Sequence, residues 1–267
     1  MQNYTSNITE KTLYNFFKKK NLLSWIKESK SYSKQLNSPF SHGKKIIKPD
    51  LKDLYFLHEL IIKTKRTTIL EYGCGYSTAI MAMALNINKQ KYEKTVKNLR
   101  RHNAFNIYAI DNNKKYIEIS KKRINQLVQK TKNYKIHFSK IRIVQFKENY
   151  VLKYDKSLTL SPDLIYIDGP SQLNIVKNNK ININISHPDF MPIICDIILY
   201  EYYLIPGTII CIDGRGANLE YLKVNLKRKW IYYKPKNIDM HILILESNPI
   251  GELNKKQLSF FKNSFFE

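Results

Sequence analysis

The sequence predicts an α/β protein with a doubly wound, mostly parallel seven-stranded sheet, and three features of the chain lead to this prediction. From Thr67 onward, short apolar β-like runs alternate with helical patterns, as βαβ units require. The runs IYAI, LIYI and TIICI are apolar throughout, which is typical of strands buried on both faces. The last two strand patterns have no helix between them, so we expect them to form a final antiparallel hairpin.

The first 66 residues are predicted to form helices and irregular segments. TLYNFFKKKNLLSWIKES places apolar residues at helical spacing, and LKDLYFLHELIIKTK does so again. Between these segments, Pro39, Gly43 and Pro49 interrupt the pattern. We therefore expect residues 1–66 to form a helical cap that is separate from the main domain.

The strands and helices of the main domain are predicted within residues 67–247. The strand segments, in chain order, are TTILEYG, NIYAIDNN, KIRIVQF, DLIYIDGP, TIICIDGR, WIYYKPK and MHILILES. The helical segments between them are STAIMAMALNINKQKYEKTVKNLRRH, KKYIEISKKRINQLVQK, DFMPIICDIILYEYYLIPG and ANLEYLKVNLKRK. Residues 248–267 form a short amphipathic tail, which we expect to pack back on the domain.

The chain is strongly basic, with 45 Lys and Arg against 22 Asp and Glu and a formal net charge of +23. Such a charge is common in proteins that bind nucleic acid. The lysines are spread through the chain, however, and neither an arginine-rich arm nor an RGG tract appears. Nucleic acid therefore stays open as a partner but is not favoured over a small anionic substrate or a solvated surface.

The sequence also indicates where the protein resides. No segment approaches the ~18 to 20 unbroken apolar residues of a membrane-spanning helix. The N-terminus lacks the basic-then-apolar layout of a secretory signal, so we expect a cytoplasmic protein without a membrane span. Cys74, Cys195 and Cys211 form no CxxC pair, which indicates buried free thiols rather than a zinc knuckle or a disulfide framework.

Acidic residues and glycines gather where four of the predicted strands end. These residues are Glu71, Gly73, Gly75, Asp111, Asp168, Gly169, Asp213 and Gly214. Ligands of open parallel sheets bind outside the carboxyl ends of the strands, so the pattern predicts one shared site.

The turn ILEYGCGYST itself excludes two kinds of nucleotide site. It lacks the lysine of the phosphate-binding GxxxxGK[ST] loop and the third glycine of the dinucleotide motif GxGxxG. Its glycines would still allow the backbone to approach a ligand closely. A bend between strand and helix without any ligand remains the alternative.

The strand pattern, together with ILEYGCGYST, YAIDNN, DLIYIDGP and GTIICIDGR, resembles the class I S-adenosylmethionine (SAM)-dependent methyltransferases. The resemblance covers about Leu54 to Glu246. It implies a Rossmann-like domain over residues 67–247, with SAM as cofactor and S-adenosylhomocysteine (SAH) as product. The cap of residues 1–66 would then lie on the substrate side and help to shape the acceptor pocket.

The resemblance also implies roles for individual cofactor-binding residues. Glu71 would lie beside the methionine part of SAM, while Gly73 and Gly75 would let the backbone pass under the ligand. Ser77 stands where this motif often has another glycine. Asp111 would accept hydrogen bonds from both ribose hydroxyls. Taken alone, Asp111 is equally explained as a helix N-cap, and its distance from the glycine turn requires an unusually long first helix.

Asp168, Asp213 and His187 are the predicted catalytic residues. Asp168 would contact the cofactor, take a proton from an acceptor hydroxyl, or both, and Asp213 at the next strand end would join it. His187 is the other candidate base, although a loop histidine at a helix entry is the simpler explanation. Because Gly214 and Arg215 follow Asp213 where metal-dependent O-methyltransferases carry a third ligand, we expect no divalent metal.

The predicted activity follows from the fourth strand. IDGP replaces the [ND]PP[YF] motif of enzymes that methylate adenine or glutamine nitrogens, so the resemblance favours O-methylation of a small-molecule or saccharide hydroxyl. An RNA or protein methyltransferase that uses the basic surface is one alternative. A non-catalytic member of the fold, or one that transfers another group, is the other. The identity of the acceptor and the oligomeric state stay open, and we expect a bulky residue at Gly73 to abolish cofactor binding while the fold survives.

Overall fold

A seven-stranded sheet lies at the centre of the described chain and confirms the predicted α/β class. The computed structural model describes residues 8–31, 48–127, 133–176, 181, 183–187 and 189–261. The strands are β1 (Thr68–Tyr72), β2 (Asn106–Asp111), β3 (Tyr134–Phe138), β4 (Ile141–Phe146), β5 (Asn149–Tyr154), β6 (Leu164–Ile167), β7 (Ile175–Val176), β8 (Ile209–Asp213), β9 (Trp230–Tyr233) and β10 (Met240–Leu245). The helices are α1 (Glu10–Lys19), α2 (Leu23–Ser31), α3 (Leu51–Lys63), α4 (Tyr76–Val96), α5 (Lys114–Leu127), α6 (Asp196–Tyr200), α7 (Gly216–Asn225) and α8 (Glu252–Phe261).

The order of strands in this sheet is β3-β2-β1-β6-β8-β10-β9. The first five strands in that order are parallel. Strand β10 runs antiparallel to both β8 and β9, which confirms the predicted final hairpin. The carboxyl ends of β1, β2, β6 and β8 therefore meet at one edge of the sheet.

Both faces of the sheet are covered, as the apolar strand sequences require. Successive side chains of a strand point to opposite faces. Accordingly, Ile69 belongs to a buried cluster with residues of α3 and α4, and Leu70 belongs to a second cluster with residues of α7. This alternation places helices on both sides of β1, which is the doubly wound arrangement.

The prediction for the third strand is wrong. The segment KIRIVQF was expected beside β2, but β3, with the sequence YKIHF, pairs parallel with β2 instead. Strand β4 belongs to a separate three-stranded sheet of order β5-β4-β7 in the described chain. Only one face of β4 is buried, through Ile141 and Ile143. Lys147 then adopts φ 54 and turns the chain back, so that β5 pairs antiparallel with β4.

The long helix predicted over DFMPIICDIILYEYYLIPG is also wrong. Helix α6 covers only Asp196–Tyr200 and continues into a 3-10 turn at Glu201–Tyr203. The preceding residues run beside β5, because the N–H of Leu152 donates to the carbonyl of Ile193 at 2.8 Å. Pro192 has no N–H to give to a helix. Pairing with the second sheet therefore overrides the helical spacing of the apolar residues.

The helix that follows β1 is as long as the position of Asp111 requires. Helix α4 has 21 residues and is followed by a 3-10 turn at Lys97–Leu99. Arg100 then adopts a left-handed backbone with φ 52, which ends the helical path before β2. The expected long first helix is thus confirmed.

Helix α3 packs against α4 on one face of the sheet, and helices α1 and α2 pack against α3. Thr9 caps α1 by accepting from the N–H of Thr12 at 3.1 Å, and Asp50 caps α3 by accepting from the N–H groups of Lys52 and Asp53. Buried Phe17 and Trp25 join the cluster that includes residues of α3 and α4. At the other end of the chain, Phe260 and Phe261 of α8 pack against Leu99. No helix in the described ranges is both long and apolar enough to cross a lipid bilayer.

Candidate active site

A cavity of about 380 Å³ lies at the carboxyl ends of β1, β2, β6 and β8. Its walls come from the turn after β1, the start of α5, the loop after β6, the end of β8 and the start of α3. The structure brings five predicted site residues into this lining, namely Gly75, Ser77, Asp111, Asp168 and Asp213. Residues that are distant in sequence thus share one cavity.

The glycine turn has two parts with different surroundings. Gly75 precedes α4, lines the cavity and has open space where a Cβ would stand. Gly73 adopts φ +108, and a Cβ there would lie 3.0 Å from the backbone of Asp168 and of Gly169. A Cβ on Gly169 would in turn lie 2.7 Å from the Cα of Gly73. Gly73 therefore lets two loops pack backbone to backbone, and among the described residues it is not part of the cavity lining.

Ser77 lies between Glu71 and the cavity. Its hydroxyl donates to Oε1 of Glu71 at 2.5 Å, and Ser77 itself lines the cavity. Glu71 is fully buried, and its Oε2 has no hydrogen-bond partner in the described part of the chain. Burial raises the pKa of Glu71 to about 8, against the opposing effect of the Ser77 hydrogen bond. Glu71 thus offers an unused buried oxygen directly behind the cavity wall.

Asp111 ends β2 with its carboxylate at the cavity, where it is only 7% exposed. It accepts from the N–H of Asn113 at 2.6 Å, and burial raises its pKa to about 6. The cap of α5 is Asn113, whose side-chain oxygen accepts from the N–H of Lys115 at 3.0 Å. The explanation of Asp111 as the helix cap is therefore wrong, and its carboxylate is directed to the cavity instead.

Three carboxyl groups from separate elements meet on the other side of the cavity. Asp168 follows β6, Asp213 ends β8, and Asp53 projects from α3. Burial, followed by the charges of Asp168 and Asp53, raises the pKa of Asp213 to about 9. Burial and the neighbouring carboxylates raise the pKa of Asp53 to about 7. These acids cannot all ionise cheaply without a cation nearby.

Arg215 connects the two loops that carry Asp168 and Asp213. Its Nη2 donates to the backbone oxygen of Asp168 at 2.5 Å, and its Nη1 donates to the oxygen of Pro170 at 3.4 Å. The same Nη2 lies 3.7 Å from Oδ1 of Asp168. The guanidinium is therefore used mainly to hold the loop after β6, and it offsets only part of the negative charge.

Helix α2 fixes an aromatic side chain at the cavity. The hydroxyl of Tyr76 donates to the carboxylate of Glu28, and its ring meets the ring of Trp25 edge-on at 4.9 Å. The guanidinium of Arg123 lies 3.5 Å from the centre of the Tyr76 ring on the cavity side, where both residues line the wall. Arg123 and Asp53 give no functional signal in the sequence, because each lies within a helical pattern whose spacing indicates packing only. Tyr76 lies in the turn ILEYGCGYST, where only its neighbours Glu71, Gly73, Gly75 and Ser77 were expected to serve the site.

His187 is not brought to this cavity. Its side chain is exposed, and its Nδ1 lies 3.6 Å from Oδ2 of Asp189. Gln172 holds the loop by donating to the carbonyl oxygens of His187 and Phe190 at 3.3 and 2.7 Å. The described geometry gives His187 no contact with the other predicted catalytic residues, and its role as a base stays a prediction.

Two further observations concern the burial of the cysteines and the grouping of side chains that could hold a metal ion. Cys195 and Cys211 are buried free thiols as predicted, whereas Cys74 is half-buried and lines the cavity. Within the described ranges, no group of three or more His, Cys, Asp or Glu side chains is placed to hold a metal ion.

Comparison with known proteins yields structural similarity only. No family model and no curated protein matches the chain. The SAH-bound methyltransferase PaMTH1 of Podospora anserina is 13% identical, with coverage of 90% of this chain and 97% of that chain and a TM-score of 0.48. The SAM-bound O-methyltransferase TomG of Streptomyces achromogenes is 14% identical, with coverage of 84% and 90% and a TM-score of 0.42. The SAH-bound O-methyltransferase of Bacillus cereus is 13% identical, with coverage of 92% and 96% and a TM-score of 0.39.

At these identities and TM-scores the similarities do not assign a function. What the fold and the site define is a doubly wound α/β protein with an acid-rich cavity at the carboxyl ends of its strands. The function must be argued from the chemistry of that cavity.

Proposed function

We propose that this protein is a SAM-dependent methyltransferase that methylates a hydroxyl group of a small molecule or saccharide. The observation that carries the proposal is the cavity in which Asp53, Asp111, Asp168 and Asp213 converge. SAM carries a sulfonium and an ammonium, has a ribose diol, and has no phosphate. A cationic ligand would relieve the repulsion among these carboxylates, whereas a nucleotide polyphosphate would add to it.

The positively charged side chains that line the cavity do not turn it into a site for a nucleotide polyphosphate. Arg215 is held by the carbonyl oxygens of Asp168 and Pro170, and Arg123 stacks on Tyr76. Lys48 is exposed at the start of the described segment that precedes α3. None of the three belongs to the glycine turn, so the turn has no lysine with which to neutralise a phosphate.

The residues present fit the cofactor. Asp111 has a second carboxylate oxygen besides the one that accepts from Asn113, and two acceptor oxygens suit a vicinal diol. The unused buried Oε2 of Glu71 fits the cofactor's ammonium, reached past Ser77 or through water. Gly75 leaves room for close approach of the ligand to the backbone. When bound, SAM supplies an electrophilic methyl group.

Asp213 and Asp53 are suited to handle the proton of an acceptor hydroxyl. A general base works best when its pKa lies near the operating pH, and burial raises the pKa of Asp53 to about 7. Burial and the charges of Asp168 and Asp53 raise the pKa of Asp213 to about 9, so Asp213 would hold a proton beside that base. The carboxylate of Asp53 would take the proton of the acceptor hydroxyl, and the cofactor, when bound, would give up its methyl group to the hydroxyl oxygen and leave as SAH. Holding the two reactants in line would contribute much of the remaining acceleration.

A groove beside the cavity suits the entry of the acceptor. It has a volume of about 620 Å³ and lies between the start of α3 and the turn that joins β9 to β10. It shares Asp50, Asp53 and Asp239 with the cofactor cavity. Its outer lysines are Lys52, Lys234 and Lys236. An acceptor with a hydroxyl at its inner end and an anionic group at its outer end would match this distribution of charge.

Calorimetry with SAM, SAH, ATP and NAD on the full chain tests the proposal. We expect saturable binding of SAM and SAH and no binding of ATP or NAD at the same site. Binding of neither SAM nor SAH would overturn the proposal, as would binding of ATP that is lost in Asp111→Asn. Labelled methyl transfer from SAM to a panel of hydroxy acids and saccharides, compared with amines, then tests the acceptor class.

A further inference from the structure

A second cavity lies at the opposite end of the sheet from the candidate active site. Its volume is about 410 Å³. Thr68, the first residue of β1, and Ser161, which precedes β6, line it, so it lies at the amino ends of the strands. Within the described chain it shares no lining residue with the active-site cavity. It is therefore a separate site, and it does not depend on the proposed function.

One wall of this second cavity is cationic. It consists of Arg100, Arg101 and His102. The charge of Arg101 is offset, because its Nη2 lies 3.0 Å from Oδ2 of Asp163. Arg100 and His102 are exposed, and neither has an ion pair with a carboxylate in the described ranges. No Asp or Glu is among the described residues of the lining. The wall thus presents the uncompensated positive charge of Arg100, beside which the ring of His102 offers a hydrogen-bonding nitrogen.

The facing wall is apolar. Ile250 and Leu253 are 66% and 43% exposed, and they line the cavity together with half-buried Ile205. Large apolar side chains scattered singly over a surface need no explanation, but here they meet inside one concave site. A ligand that covered them would remove apolar surface from water, which favours binding.

Two polar residues of the lining, Asn254 and Gln257, are hydrogen-bonded and held in place. Gln257 donates to the carbonyl of Leu99 at 2.7 Å, and its Oε1 accepts from Asn254 at 3.3 Å. Asn254 also accepts from the N–H of Ile250 at 3.2 Å. These bonds hold this part of the lining in place and leave the guanidinium of Arg100 and the apolar side chains of Ile250 and Leu253 available to a ligand.

We propose that this cavity binds an organic anion with an apolar body. Arg100 and His102 meet the carboxylate, sulfonate or phosphate group, and Ile250 and Leu253 cover the apolar body. The forked donors of arginine match such planar or tetrahedral anions. A volume of about 410 Å³ lies within the roughly 300–1,000 Å³ range of small-molecule sites. An inorganic anion would use only one of the two walls.

Titration of the full chain with 1-anilino-8-naphthalenesulfonate, followed by its fluorescence, tests the proposal. This probe combines a sulfonate with an apolar body. We expect one saturable site whose Kd rises about five-fold or more in Arg100→Asn and in Leu253→Asn. Asn tolerates the left-handed backbone at position 100, and Leu253 is exposed, so both variants should fold. Arg142→Gln removes an exposed arginine elsewhere and should leave the Kd unchanged.

Three outcomes would overturn the proposal. In the first, both Arg100→Asn and Leu253→Asn bind the probe as tightly as the parent chain. In the second, the uncharged N-phenyl-1-naphthylamine binds as tightly as the sulfonate, which would remove the role of the cations. In the third, inorganic phosphate displaces the probe at equal concentration, which would remove the role of the apolar wall. Saturating SAH should not change probe binding, since the two cavities are separate.

Discussion

Gly73 and Gly169 pack backbone against backbone, and this contact joins the turn after β1 to the loop after β6. A Cβ on Gly169 would lie 2.7 Å from both the Cα and the N of Gly73. Separations below 3.0 Å force the surrounding structure to shift. The contact sets the distance between Gly75 on one loop and Asp168 on the other, and both line the cavity.

Gly169→Ala should lower the free energy of unfolding by about 1–3 kcal/mol, because the added methyl overfills a packed region. Gly75→Ala is the matched control, since nothing lies within 4 Å of its Cβ position. Urea denaturation of both variants measures the difference. Equal losses would contradict the packing role. The same geometry revises our expectation for Gly73, where a bulky residue should damage the fold as well as the site.

Asp111→Asn should weaken SAH binding roughly ten-fold or more, because an amide offers the ribose diol one acceptor oxygen where the carboxylate offers two. SAH lacks the sulfonium charge of SAM. Weaker binding of SAH would therefore measure the lost hydrogen bond to the ribose diol rather than a lost attraction between charges. Calorimetry gives the Kd. Asp155→Asn, at an exposed ion pair with Arg142, is the control and should bind as the parent does. An unchanged Kd in Asp111→Asn would place the ribose elsewhere.

The stability of the ligand-free protein should fall as the pH rises from about 5 to about 8. The pKa of Glu71 is about 8 in the folded protein and 4.5 as its ordinary value, so the folded state retains a proton that the unfolded chain has released. The retained proton contributes to the free energy of unfolding, and this contribution is fully present below pH 4.5 and is lost as the pH rises through about 8. Glu71→Gln should flatten the profile of unfolding free energy against pH. An identical profile in that variant would show that Glu71 does not retain its proton.

The preference for SAM over SAH should increase with pH. A sulfonium favours ionised carboxylates, and the raised pKa values of Asp111 (about 6) and Asp53 (about 7) mean that these groups ionise as the pH passes neutrality. SAH lacks that charge and should respond less. Calorimetry of both ligands at pH 6, 7 and 8 measures the ratio of their Kd values. A ratio that does not vary with pH would argue that the sulfonium lies away from these acids.

Much of the fold was predictable because it depends on local sequence. The fully apolar strands LIYI and IICI, and the absence of a helix before MHILILES, indicate a buried parallel sheet with a closing hairpin. The third strand was not predictable in this way. YKIHF and IRIVQF have similar strand character, and only their pairing with β2 or with β5 distinguishes them.

The residues of the candidate site also fall into two groups, those that the sequence indicates and those that only tertiary packing brings to the cavity. Acids at the ends of β2, β6 and β8 are visible in the sequence, because the position at which a strand ends follows from local patterns. Asp53 gave no such signal, since it lies in a helix whose sequence indicates packing alone. Tyr76 lies in the glycine turn, but nothing in the local sequence shows where its ring will point. Asp53 reaches the cavity on α3, where Leu54 is buried, and Tyr76, the first residue of α4, is held at the cavity by Trp25 and Glu28 of α2.

By itself, the sequence determined the class of fold and the edge of the sheet at which the candidate site lies. Both follow from periodicity and from residues that end strands. The tertiary structure decided that Gly73 serves a loop contact, that Ser77 covers Glu71, and that Asp53 joins the acids of β6 and β8. These relationships join residues far apart in the chain, and their energies depend on distances and burial that exist only after the chain has packed.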